Sequence, residues 1–363
     1  MRPGYFVTGF PGFISEHFIK LWLSDKEAKN IYLLVQPSMS TKANEKVEHL
    51  LRGASNRSTI QIIEGDITKN HLGLPDPTKD YLKEKIQYVW HLAAIYDLAV
   101  PKSLAFKVNV TGTYHVNEWV QSLPHIKRYV YFSTAYIAGK REGSIKAGEL
   151  IRPEAFRNHY EETKYEAEVL VDRLKNHIPT TIIRPGIVKG SVKSGETTKF
   201  DGPYYMMNII DRLKGSSFIP YIGRSATVLN VVPVDYVVKA ANWLGHLEAG
   251  AGKTYHLTDP NPYPARELFR FIMIAQTGRK PSYSVPHQFV DRLLSFKAAR
   301  KLLRVERESV EYFFWKGSFD QGDTEQDLAG TGITCPDFLE GLEPMISFYN
   351  LHKRDERFHP PVN

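Results

Sequence analysis

The sequence predicts an α/β fold in which a doubly wound parallel sheet carries a smaller domain interleaved towards the C-terminus. Short apolar runs alternate with longer amphipathic runs in the first half of the chain, which is typical of repeated βαβ units. Gly9 and Gly12 stand between the first apolar and the first amphipathic run, where a Rossmann-type sheet turns from strand to helix. The rhythm changes after Pro185, and a loop rich in Gly, Ser, Thr and Lys follows.

The individual elements follow from composition and periodicity. Runs that are almost continuously apolar and rich in Val, Ile and Tyr predict strands covered on both faces, at Tyr5–Thr8, Ile31–Val35, Ile60–Glu64, Tyr88–Leu92, Arg128–Ser133 and Thr180–Arg184. Amphipathic runs predict helices at Gly12–Leu23, Lys42–Leu51, Ala105–Ser122 and Tyr160–Asn176. Later in the chain we expect a helix over Met206–Lys214, a strand around Val228–Val232 and a helix from Val234.

Composition limits the classes of protein to consider. The chain has 363 residues, of which 42% are hydrophobic and 24% charged, as in an ordinary globular protein. Its formal net charge of +7 favours an anionic ligand. A single cysteine, Cys335, excludes an internal disulfide and a Cys-rich metal site. No zinc-finger spacing and no long basic run is present, so we predict neither a metal nor a nucleic-acid partner.

A glycine-containing loop follows the first predicted strand. Gly9 and Gly12 let the backbone turn sharply and approach a pyrophosphate, whose charge the N-terminus of the next helix favours. Ser15 stands where a third glycine is usual, and it is small enough for close helix packing. Two glycines also fit an ordinary turn, but the position between strand and helix favours a dinucleotide site at Thr8, Gly9, Phe10, Gly12, Phe13 and Ile14.

Residues after the next strands extend this site. Gln36 stands where an acidic residue would bind the ribose of NAD and an arginine would bind the phosphate of NADP. Because no carboxylate is there to repel a phosphate, and Ser38 and Lys42 are near, we predict NADP(H) in preference to NAD(H). Asp66 is placed to hold the adenine, although a solvated turn fits it equally well. The other contacts predicted on the first four strands are Ile67, Leu92, Ala93 and Ala94, and Tyr160 and Lys164 are also expected to contact the cofactor.

Four residues are predicted to carry catalysis. Tyr160 and Lys164 are four apart in a helical sequence and project from one face. A nearby ammonium lowers the tyrosine pKa from its ordinary value of about 10, so the pair can exchange a proton where hydride transfer makes an alkoxide. Thr134 follows the fifth strand, at the sheet edge where ligands bind, and is expected to hydrogen-bond the reacting carbonyl. Asn109 is expected to support Lys164 through water.

These motifs together resemble the extended short-chain dehydrogenase/reductase superfamily over nearly the whole chain. T-G-x-x-G-F-I, G-D-I, H-L-A-A, N-V-T-G-T, S-T-A-Y, Y-x-x-x-K and R-P-G occur in family order. The resemblance implies an NAD(P)-dependent enzyme in which Thr134, Tyr160 and Lys164 carry catalysis. It also implies that the nicotinamide end is lined by Arg184, Pro185, Gly186, Ile187 and Val188. Ser15 and Gln36 depart from the family motifs, and the second departure leaves the choice between NAD and NADP unresolved.

A narrower resemblance is to the male-sterility branch, which contains fatty acyl-CoA reductases and the thioester-reductase domains of carboxylic acid reductases and peptide synthetases. It rests on Tyr32–Val35, Ser133–Tyr136, Gly195–Tyr205 and Asn230–Tyr236. It implies hydride reduction of an acyl thioester, as a fatty acyl-CoA or a carrier-bound group, or of the derived aldehyde, with Tyr160 as the acid. Members of the branch usually carry arginine near position 36, so Gln36 also bears on the substrate class.

Two other enzyme classes and one non-enzymatic class remain as alternatives. A nucleotide-sugar epimerase or dehydratase shares the catalytic residues, although a dehydratase typically has an Asp-Glu pair where this chain has Ala135 and Tyr136. A hydroxysteroid-type or flavonoid-type ketone reductase is the second. A cofactor-sensing regulator on an inactive scaffold is the third, and the intact Tyr160–Lys164 pair argues against it.

The predicted domains follow from these assignments. Residues 1–189 and about 215–245 are expected to form the dinucleotide-binding Rossmann domain, 190–214 and 246–352 the substrate-binding subdomain, and 353–363 a loose tail. The loop Gly190–Tyr205 is expected to lie over the site. Aromatic clusters are more often plain core, but on the substrate side we name Tyr96, Ala135, Tyr136, Tyr204 and Tyr205.

A basic helix is expected near Gln288–Arg304. Its apolar and basic residues alternate: Phe289, Leu293, Leu294, Phe296, Leu302 and Leu303 against Arg292, Lys297, Arg300, Lys301 and Arg304. Such a helix can meet a fatty chain, a coenzyme A phosphate or a membrane surface. We favour ordinary packing on the small domain, because amphipathic helices usually pack in that way.

The expected partners are a small-molecule acyl thioester or aldehyde and, for a carrier-bound substrate, a separate acyl-carrier protein. Contact with a membrane surface is not favoured, and the protein is expected to be a monomer or a homodimer. The N-terminus runs directly into a strand without the apolar core of a signal peptide. No stretch reaches the roughly 18 apolar residues of a spanning helix. We therefore predict a cytoplasmic protein.

Overall fold

The computed structural model describes residues 2–216, 219–222, 227–281 and 283–360. Its strands are β1 (Gly4–Thr8), β2 (Asn30–Val35), β3 (Thr59–Glu64), β4 (Ile86–His91), β5 (Arg128–Phe132), β6 (Gly143–Ile145), β7 (Thr180–Pro185), β8 (Ile187–Lys189), β9 (Tyr221–Ile222), β10 (Val231–Pro233), β11 (Thr254–Leu257), β12 (Ser284–Val285) and β13 (Gly317–Phe319).

The helices lie between and after these strands. They are α1 (Phe13–Ser24), α2 (Ser40–Arg52), α3 (Asp76–Lys83), α4 (Lys102–Ala105), α5 (Gly112–Gln121), α6 (His159–Asp172), α7 (Tyr204–Leu213), α8 (Val234–His246), α9 (Ala265–Thr277), α10 (His287–Ser295), α11 (Lys297–Leu303), α12 (Gly322–Leu328) and α13 (Leu342–His352). A π-helical segment, Phe106–Thr111, joins α4 to α5 without a break.

Seven parallel strands form the central sheet, in the order β11-β7-β5-β4-β1-β2-β3. Strands β1, β5 and β7 are buried at every position, as expected where helices cover both faces of a parallel sheet. The strand order reverses between β1 and β4, where Thr8 pairs with His91 at the carboxyl ends. A ligand crevice is expected at this reversal. The predicted fold class is confirmed.

Helices on the two faces of the sheet bury separate cores. On one face, Phe18 and Trp22 of α1 pack with Val237 and Leu244 of α8 and with Trp90 of β4. The indole rings of Trp22 and Trp90 meet edge to face, with centroids 5.4 Å apart. On the other face, α5 and α6 cover the sheet with apolar residues that include Val116, Val120, Ala167 and Val171.

With the exception of the end of the helix Tyr160–Asn176, the predicted elements of the first half agree with the structure to within three residues at their ends. Helix α3 was not predicted, because it is short and buries only one of its residues, Leu82. The predicted helix Tyr160–Asn176 ends as α6 at Asp172 and continues as a 3₁₀ turn, Arg173–Asn176. The predicted helix near Gln288–Arg304 is wrong as a single element, because Phe296 has extended backbone and separates α10 from α11.

The predicted domain boundary near 246 needs correction. Strand β11 pairs with β7 as the edge strand of the central sheet, and Leu328 of α12 packs into the same core as α8. Both elements had been assigned to the substrate-binding subdomain. Within the predicted segments, residues 1, 217, 218, 223–226, 282 and 361–363 lie outside the described residues.

A third core holds the small domain together. Helices α7, α9 and α13 supply most of it, including Met206, Met207, Ile210, Phe269 and Ile272. The tail, expected to be loose, is packed as far as it is described: the ring of Phe358 stacks on Phe200 at 5.0 Å, and its carbonyl accepts a 2.7 Å hydrogen bond from the Phe200 N–H. Within the described ranges, no helix combines the length and the apolar character needed to cross a membrane.

Candidate active site

A cavity of about 770 Å³ opens at the carboxyl ends of β1 and β4, where the strand order reverses. The loop between β1 and α1 lines one end of it, and aromatic and aliphatic side chains line the other. Of the predicted cofactor contacts, the lining includes Thr8, Gly9, Phe10, Gly12, Phe13, Ile14, Gln36, Ile67, Leu92, Ala93, Ala94, Pro185, Gly186, Ile187 and Val188. The predicted catalytic residues Thr134, Tyr160 and Lys164 line the same cavity.

The glycine loop has a shape that only glycine permits. Gly9 has φ +90°, and a Cβ atom there would lie 2.7 Å from the main-chain nitrogen of Ala93. A Cβ atom on Gly12 would lie 2.6 Å from the carbonyl oxygen of Gly9. Ser15 does more than the sequence suggested, because its hydroxyl hydrogen-bonds the carbonyl oxygens of Gly9 and Gly12, each at 2.9 Å.

These residues fit a dinucleotide. The glycines bring the backbone of the loop and the N-terminus of α1 to the cavity, which suits a pyrophosphate. Ser133, at the end of β5, also lines the cavity, and its buried hydroxyl has no hydrogen-bond partner among the described residues. A bound ligand would satisfy that hydroxyl.

Two predicted cofactor contacts lie off the cavity. Ser38 is exposed on the 3₁₀ turn after β2, and Asp66 is not part of the lining. The Asp66 carboxylate accepts a 2.8 Å hydrogen bond from the Thr68 N–H and another from Gln36. Partial burial raises the pKa of Asp66, but these hydrogen bonds outweigh it and hold the pKa below its ordinary value. Contrary to the expectation, a carboxylate, that of Asp66, therefore stands beside Gln36.

Helix α6 positions the proton-handling pair. Asn158 caps the helix by accepting a 2.9 Å hydrogen bond from the Glu161 N–H, so the helix begins just before Tyr160. One turn later, Lys164 is buried and reaches the end of β5. The hydroxyl of Tyr160 is hydrogen-bonded to Thr134. The three predicted catalytic residues are thus brought together from β5 and α6.

The electrostatics differ from the expectation. Burial raises the pKa of Tyr160, the carboxylates of Glu161 and Asp201 raise it further, and only the hydrogen bond with Thr134 lowers it. Burial also lowers the pKa of Lys164 to about 7. The expected lowering of the Tyr160 pKa by Lys164 is not found, because the Lys164 ammonium is itself desolvated and is hydrogen-bonded to β5.

Asn109 acts through other residues. It lies in the π-helical segment, is buried, and does not line the cavity. Its Oδ1 accepts a 2.8 Å hydrogen bond from the Ile95 N–H, and its Nδ2 donates to Oγ1 of Thr163 at 3.0 Å. Asn109 therefore fastens the segment after β4 to α6. The π turn, a feature often found at functional sites, places it there.

A buried chain of hydrogen bonds also holds the segment after β4 in place. The Thr8 hydroxyl lies 2.7 Å from Nδ1 of His91, and Nε2 of His91 lies 3.1 Å from the Thr113 hydroxyl. Because Thr113 donates to the Asn109 carbonyl, it accepts from His91. Burial lowers the pKa of His91 to about 3, so the ring is neutral. Thr8 also accepts from the Ala93 N–H at 3.1 Å, which holds Ala93 beside the glycine loop.

The substrate end of the cavity contains three of the five predicted residues. Tyr96, Tyr136 and Tyr205 line it, and the rings of Tyr96 and Tyr160 meet edge to face at 5.0 Å. Ala135 is fully buried beside the cavity but does not line it. Tyr204 points into the small-domain core, where its hydroxyl accepts a 3.1 Å hydrogen bond from the main-chain N–H at position 190. Ala135 and Tyr204 therefore do not line the cavity, and their role as substrate contacts stays a prediction.

The sequence did not single out two charged residues in the cavity. Lys199 and Asp201 lie on the loop that was predicted to cover the site, 3.6 Å apart between Nζ and Oδ2. Lys199 donates a 3.2 Å hydrogen bond to the Tyr96 carbonyl, and burial raises the pKa of Asp201 to about 6. Ser309, Tyr312 and Phe313 also line the cavity, from a 3₁₀ segment without a motif.

The resemblance implies that Arg184 lines the nicotinamide end, but in the structure Arg184 does not line the cavity. Its side chain is buried on the other side of β7 and forms a 2.6 Å ion pair with Glu168 of α6. It also donates to the carbonyls of Ala147 and Glu149, each at 3.0 Å. Arg184 therefore ties β7 to α6, while the following residues, Pro185–Val188, line the cavity.

A comparison with known protein families matches the part of the chain that contains this site. The family model described as male sterility protein matches residues 7–241, which hold the glycine loop and all four predicted catalytic residues. The chain belongs to the male sterility protein family. Its expected place in that branch of the extended short-chain dehydrogenases/reductases is confirmed.

Relatives of this male sterility family member differ in length from it. Fatty acyl-CoA reductase wat of Drosophila melanogaster is 25% identical over 272 residues, which cover 65% of this chain and 53% of that protein. The nonribosomal peptide synthetase cpsA of Aspergillus campestris is 25% identical over 300 residues, 78% of this chain and 28% of that protein. The chain thus spans about half or less of these relatives.

The fold has a close counterpart among solved structures. The terminal R domain of the myxalamid PKS-NRPS biosynthetic pathway superposes with a TM-score of 0.79 at 24% identity, over 97% of this chain and 91% of that one. At this level of identity the likeness concerns the fold alone.

Proposed function

We propose that the protein is an NAD(P)H-dependent reductase that acts on an acyl thioester or on the derived aldehyde. One observation carries the proposal: Thr134, Tyr160 and Lys164 line the same cavity as the glycine loop. Membership of the male sterility family supports it. A carbonyl held at Thr134 and Tyr160 would lie between the cofactor end and the apolar end of that cavity.

The loop Gly9–Ile14, the backbone at Ala93 and Ala94, and the segment Pro185–Val188 would hold the cofactor. When bound, NAD(P)H supplies a hydride to the carbonyl carbon. Thr134 and Tyr160 orient the carbonyl oxygen through their hydroxyls. Tyr160 then transfers its proton to that oxygen, so that a thioester becomes a hemithioacetal.

The raised pKa of Tyr160 suits this direction of reaction, because the residue that protonates an oxygen must hold its proton beforehand. Lys164, which lines the same cavity, would hold the ribose of the cofactor. The hemithioacetal then loses its hydroxyl proton as the carbon–sulfur bond breaks. The thiol leaves with a proton, and an aldehyde remains in the site.

The lining favours an acyl chain over a sugar diphosphate. Beyond Tyr160, the walls are mostly aromatic and aliphatic, formed by Tyr96, Leu98, Leu104, Val108, Tyr136, Tyr205, Leu229 and Phe313. The charged side chains at this end, Lys199 and Asp201, neutralise one another in part. Such a wall buries apolar chains well and provides little for a diphosphate.

We propose NADP(H) as the preferred cofactor and coenzyme A or a separate acyl-carrier protein as the carrier. Gln36 lines the cavity without a charge of its own, and Lys42 is exposed on the following helix. The Asp66 carboxylate beside Gln36 acts against a phosphate at this position. The ratio of kcat/KM for NADPH and NADH measures which effect is larger.

The test is the consumption of NADPH with a panel of acyl-CoAs and aldehydes. Tyr160→Phe should lower the rate by about 10²- to 10⁴-fold, because it removes the general acid. Tyr165→Phe is the matched control, since Tyr165 lies on the same helix and off the cavity. No turnover with any acyl or aldehyde substrate, or an unaffected Tyr160→Phe, would overturn the proposal. Intact NAD released from the denatured protein, together with sugar-nucleotide conversion, would favour an epimerase instead.

A further inference from the structure

Helices α10 and α11 expose an unusual amount of apolar surface. Phe289, Phe296 and Leu302 are 60%, 61% and 64% exposed, and Leu293 is 39% exposed. Residues 289 and 293 follow the i, i+4 spacing of one face of α10, and Phe296 lies in the extended link directly after that helix. Among the described residues, three phenylalanine side chains are exposed, and two of them lie here. Exposed apolar clusters of this kind indicate a surface that binds another protein, a membrane or a ligand.

The other face of these helices packs as expected. Leu294 is buried in the small-domain core, and Val290 packs against it. Arg300 donates hydrogen bonds of 2.8 and 3.0 Å to the carbonyls of Leu294 and Ser295, which binds α11 to the end of α10. The two helices therefore have a fixed inner face, and their outer apolar residues are held towards solvent.

The charge around the apolar residues is one-sided. Five basic residues lie between 288 and 304, namely Arg292, Lys297, Arg300, Lys301 and Arg304, against a single acid, Asp291. Arg304 is paired with Glu356, and Arg300 is turned onto main-chain carbonyls, so Arg292, Lys297 and Lys301 carry the exposed positive charge. Asp291 is already held by Arg307 through two hydrogen bonds of 2.9 Å. Lys297 and Lys301 are exposed beside Leu302. An anionic surface would meet positive charge and apolar side chains together.

We propose that α10 and α11 dock on an anionic membrane surface, with Phe289, Leu293, Phe296 and Leu302 inserted among the lipids and the lysines at the headgroups. Phenylalanine and leucine flanked by lysine are the composition of interfacial helices. Interfaces with another protein are depleted in lysine and enriched in tyrosine, tryptophan, phenylalanine, methionine and arginine. The exposed lysines, Lys297 and Lys301, therefore favour an anionic lipid surface over a protein partner.

The position of this surface connects it to the site. The 3₁₀ segment that follows α11 supplies Ser309, Tyr312 and Phe313 to the active-site cavity. Arg300 lines a second cavity of about 710 Å³, which shares Leu98 with the first. A docked protein would have its substrate cavity close to the bilayer. The delivery of acyl chains from the lipid rests on the proposed function, whereas the docking itself does not.

The experiment is co-sedimentation of the full chain with vesicles, without substrate or cofactor. The protein should bind vesicles that contain phosphatidylserine, bind pure phosphatidylcholine vesicles far less, and lose binding as salt rises. Lys297→Gln with Lys301→Gln should weaken binding by roughly 25-fold, at about fivefold for each charge. Phe289→Ser with Phe296→Ser should weaken it by at least about tenfold.

Matched controls separate a site from a general charge effect. Lys26→Gln with Lys239→Gln removes two exposed lysines elsewhere, and Leu351→Ser removes an exposed leucine elsewhere. Both control variants should bind as the wild type does. Equal binding of the wild type to anionic and neutral vesicles, or unchanged binding by the Lys297/Lys301 variant, would overturn the proposal. Capture of an acidic acyl-carrier protein in place of vesicles, dependent on Lys297 and Lys301, would also overturn it.

Vesicle binding is measured without turnover, so it succeeds or fails separately from the proposed reductase activity. A protein that binds vesicles but reduces no acyl substrate would contradict the proposed function alone. A protein that reduces acyl-CoAs but ignores vesicles would contradict the docking alone.

Discussion

Lys164 donates a 2.6 Å hydrogen bond to the main-chain oxygen of Phe132, the last residue of β5. A second bond, of 2.8 Å, goes to the hydroxyl of Tyr131. The buried ammonium thus joins α6 to the strand that presents Thr134. Lys164 is therefore one link that holds the helix of Tyr160 against the strand that precedes Thr134.

Replacement of Lys164 by methionine should change how stability depends on pH. Burial lowers the pKa of Lys164 to about 7, against an ordinary value of about 10.4. Between these values the unfolded chain binds a proton that the folded chain has released, so this lysine makes the free energy of unfolding rise with pH. The rise is at most about 1.4 kcal/mol per pH unit, and it is absent below pH 7, where both states are protonated.

Urea unfolding at several pH values between about 7 and 9 measures this effect. The wild type should gain stability relative to Lys164→Met as the pH rises through that window. Parallel stability curves for the two proteins would contradict the lowered pKa.

Gly9→Ala should weaken cofactor binding by at least about tenfold. The new Cβ atom would lie 2.7 Å from the Ala93 nitrogen, and the φ of +90° is strained for alanine. Both effects displace the loop from the pyrophosphate position. Titration of NADPH fluorescence gives the dissociation constant. Gly148→Ala is the control, because nothing lies within 4 Å of its Cβ position, and its affinity should equal that of the wild type.

Asn109→Ala should lower kcat as well as stability. Asn109 joins Ile95 to Thr163, and loss of its buried amide should lower the free energy of unfolding by about 1 to 3 kcal/mol. Asn117→Ala is the matched control, since Asn117 is a buried amide on α5 that accepts from the Tyr129 hydroxyl at 3.0 Å, away from the cavity. Both variants should lose stability, but only Asn109→Ala should lose kcat. An equal loss of kcat would make Asn109 merely structural.

Asp201→Asn should move the basic limb of the kcat/KM pH profile to lower pH. The Asp201 carboxylate is the third cause of the raised Tyr160 pKa, after burial and Glu161. Its removal lowers that pKa, so Tyr160 loses its proton earlier as the pH rises; we expect a displacement below about one pH unit. Asp201→Glu retains the charge and should leave the limb in place. A profile that is the same in Asp201→Asn and wild type would show that Asp201 does not act on Tyr160.

Local sequence was sufficient for most of the first half of the fold. Strands such as β5 are apolar on both faces, and helix α6 is amphipathic, so each is specified by residues close in the chain. The edge strand β11 was missed because it is four residues long and gains its stability from pairing with the distant β7. Short strands carry little local signal.

Side-chain direction was the main thing that local pattern left undecided. Tyr204 and Tyr205 are neighbours, yet only Tyr205 lines the cavity. Arg184 belongs to a motif of the family but points away from the site towards Glu168. In each case the rotation of a helix or strand about its own axis, relative to its neighbours, decides which side chains point into the cavity. That rotation depends on tertiary packing and cannot be read from the sequence of the element alone.

The sequence by itself determined the parallel sheet, the glycine loop and the identity of the proton-handling pair, because periodicity and motif order are local properties. Only the tertiary structure decided that Asp66 is bonded to Gln36, that Lys199 and Asp201 face Tyr96, and that the apolar residues of α10 are exposed. It also decided the direction of the Tyr160 pKa, which is raised, because burial depends on every element packed around the residue.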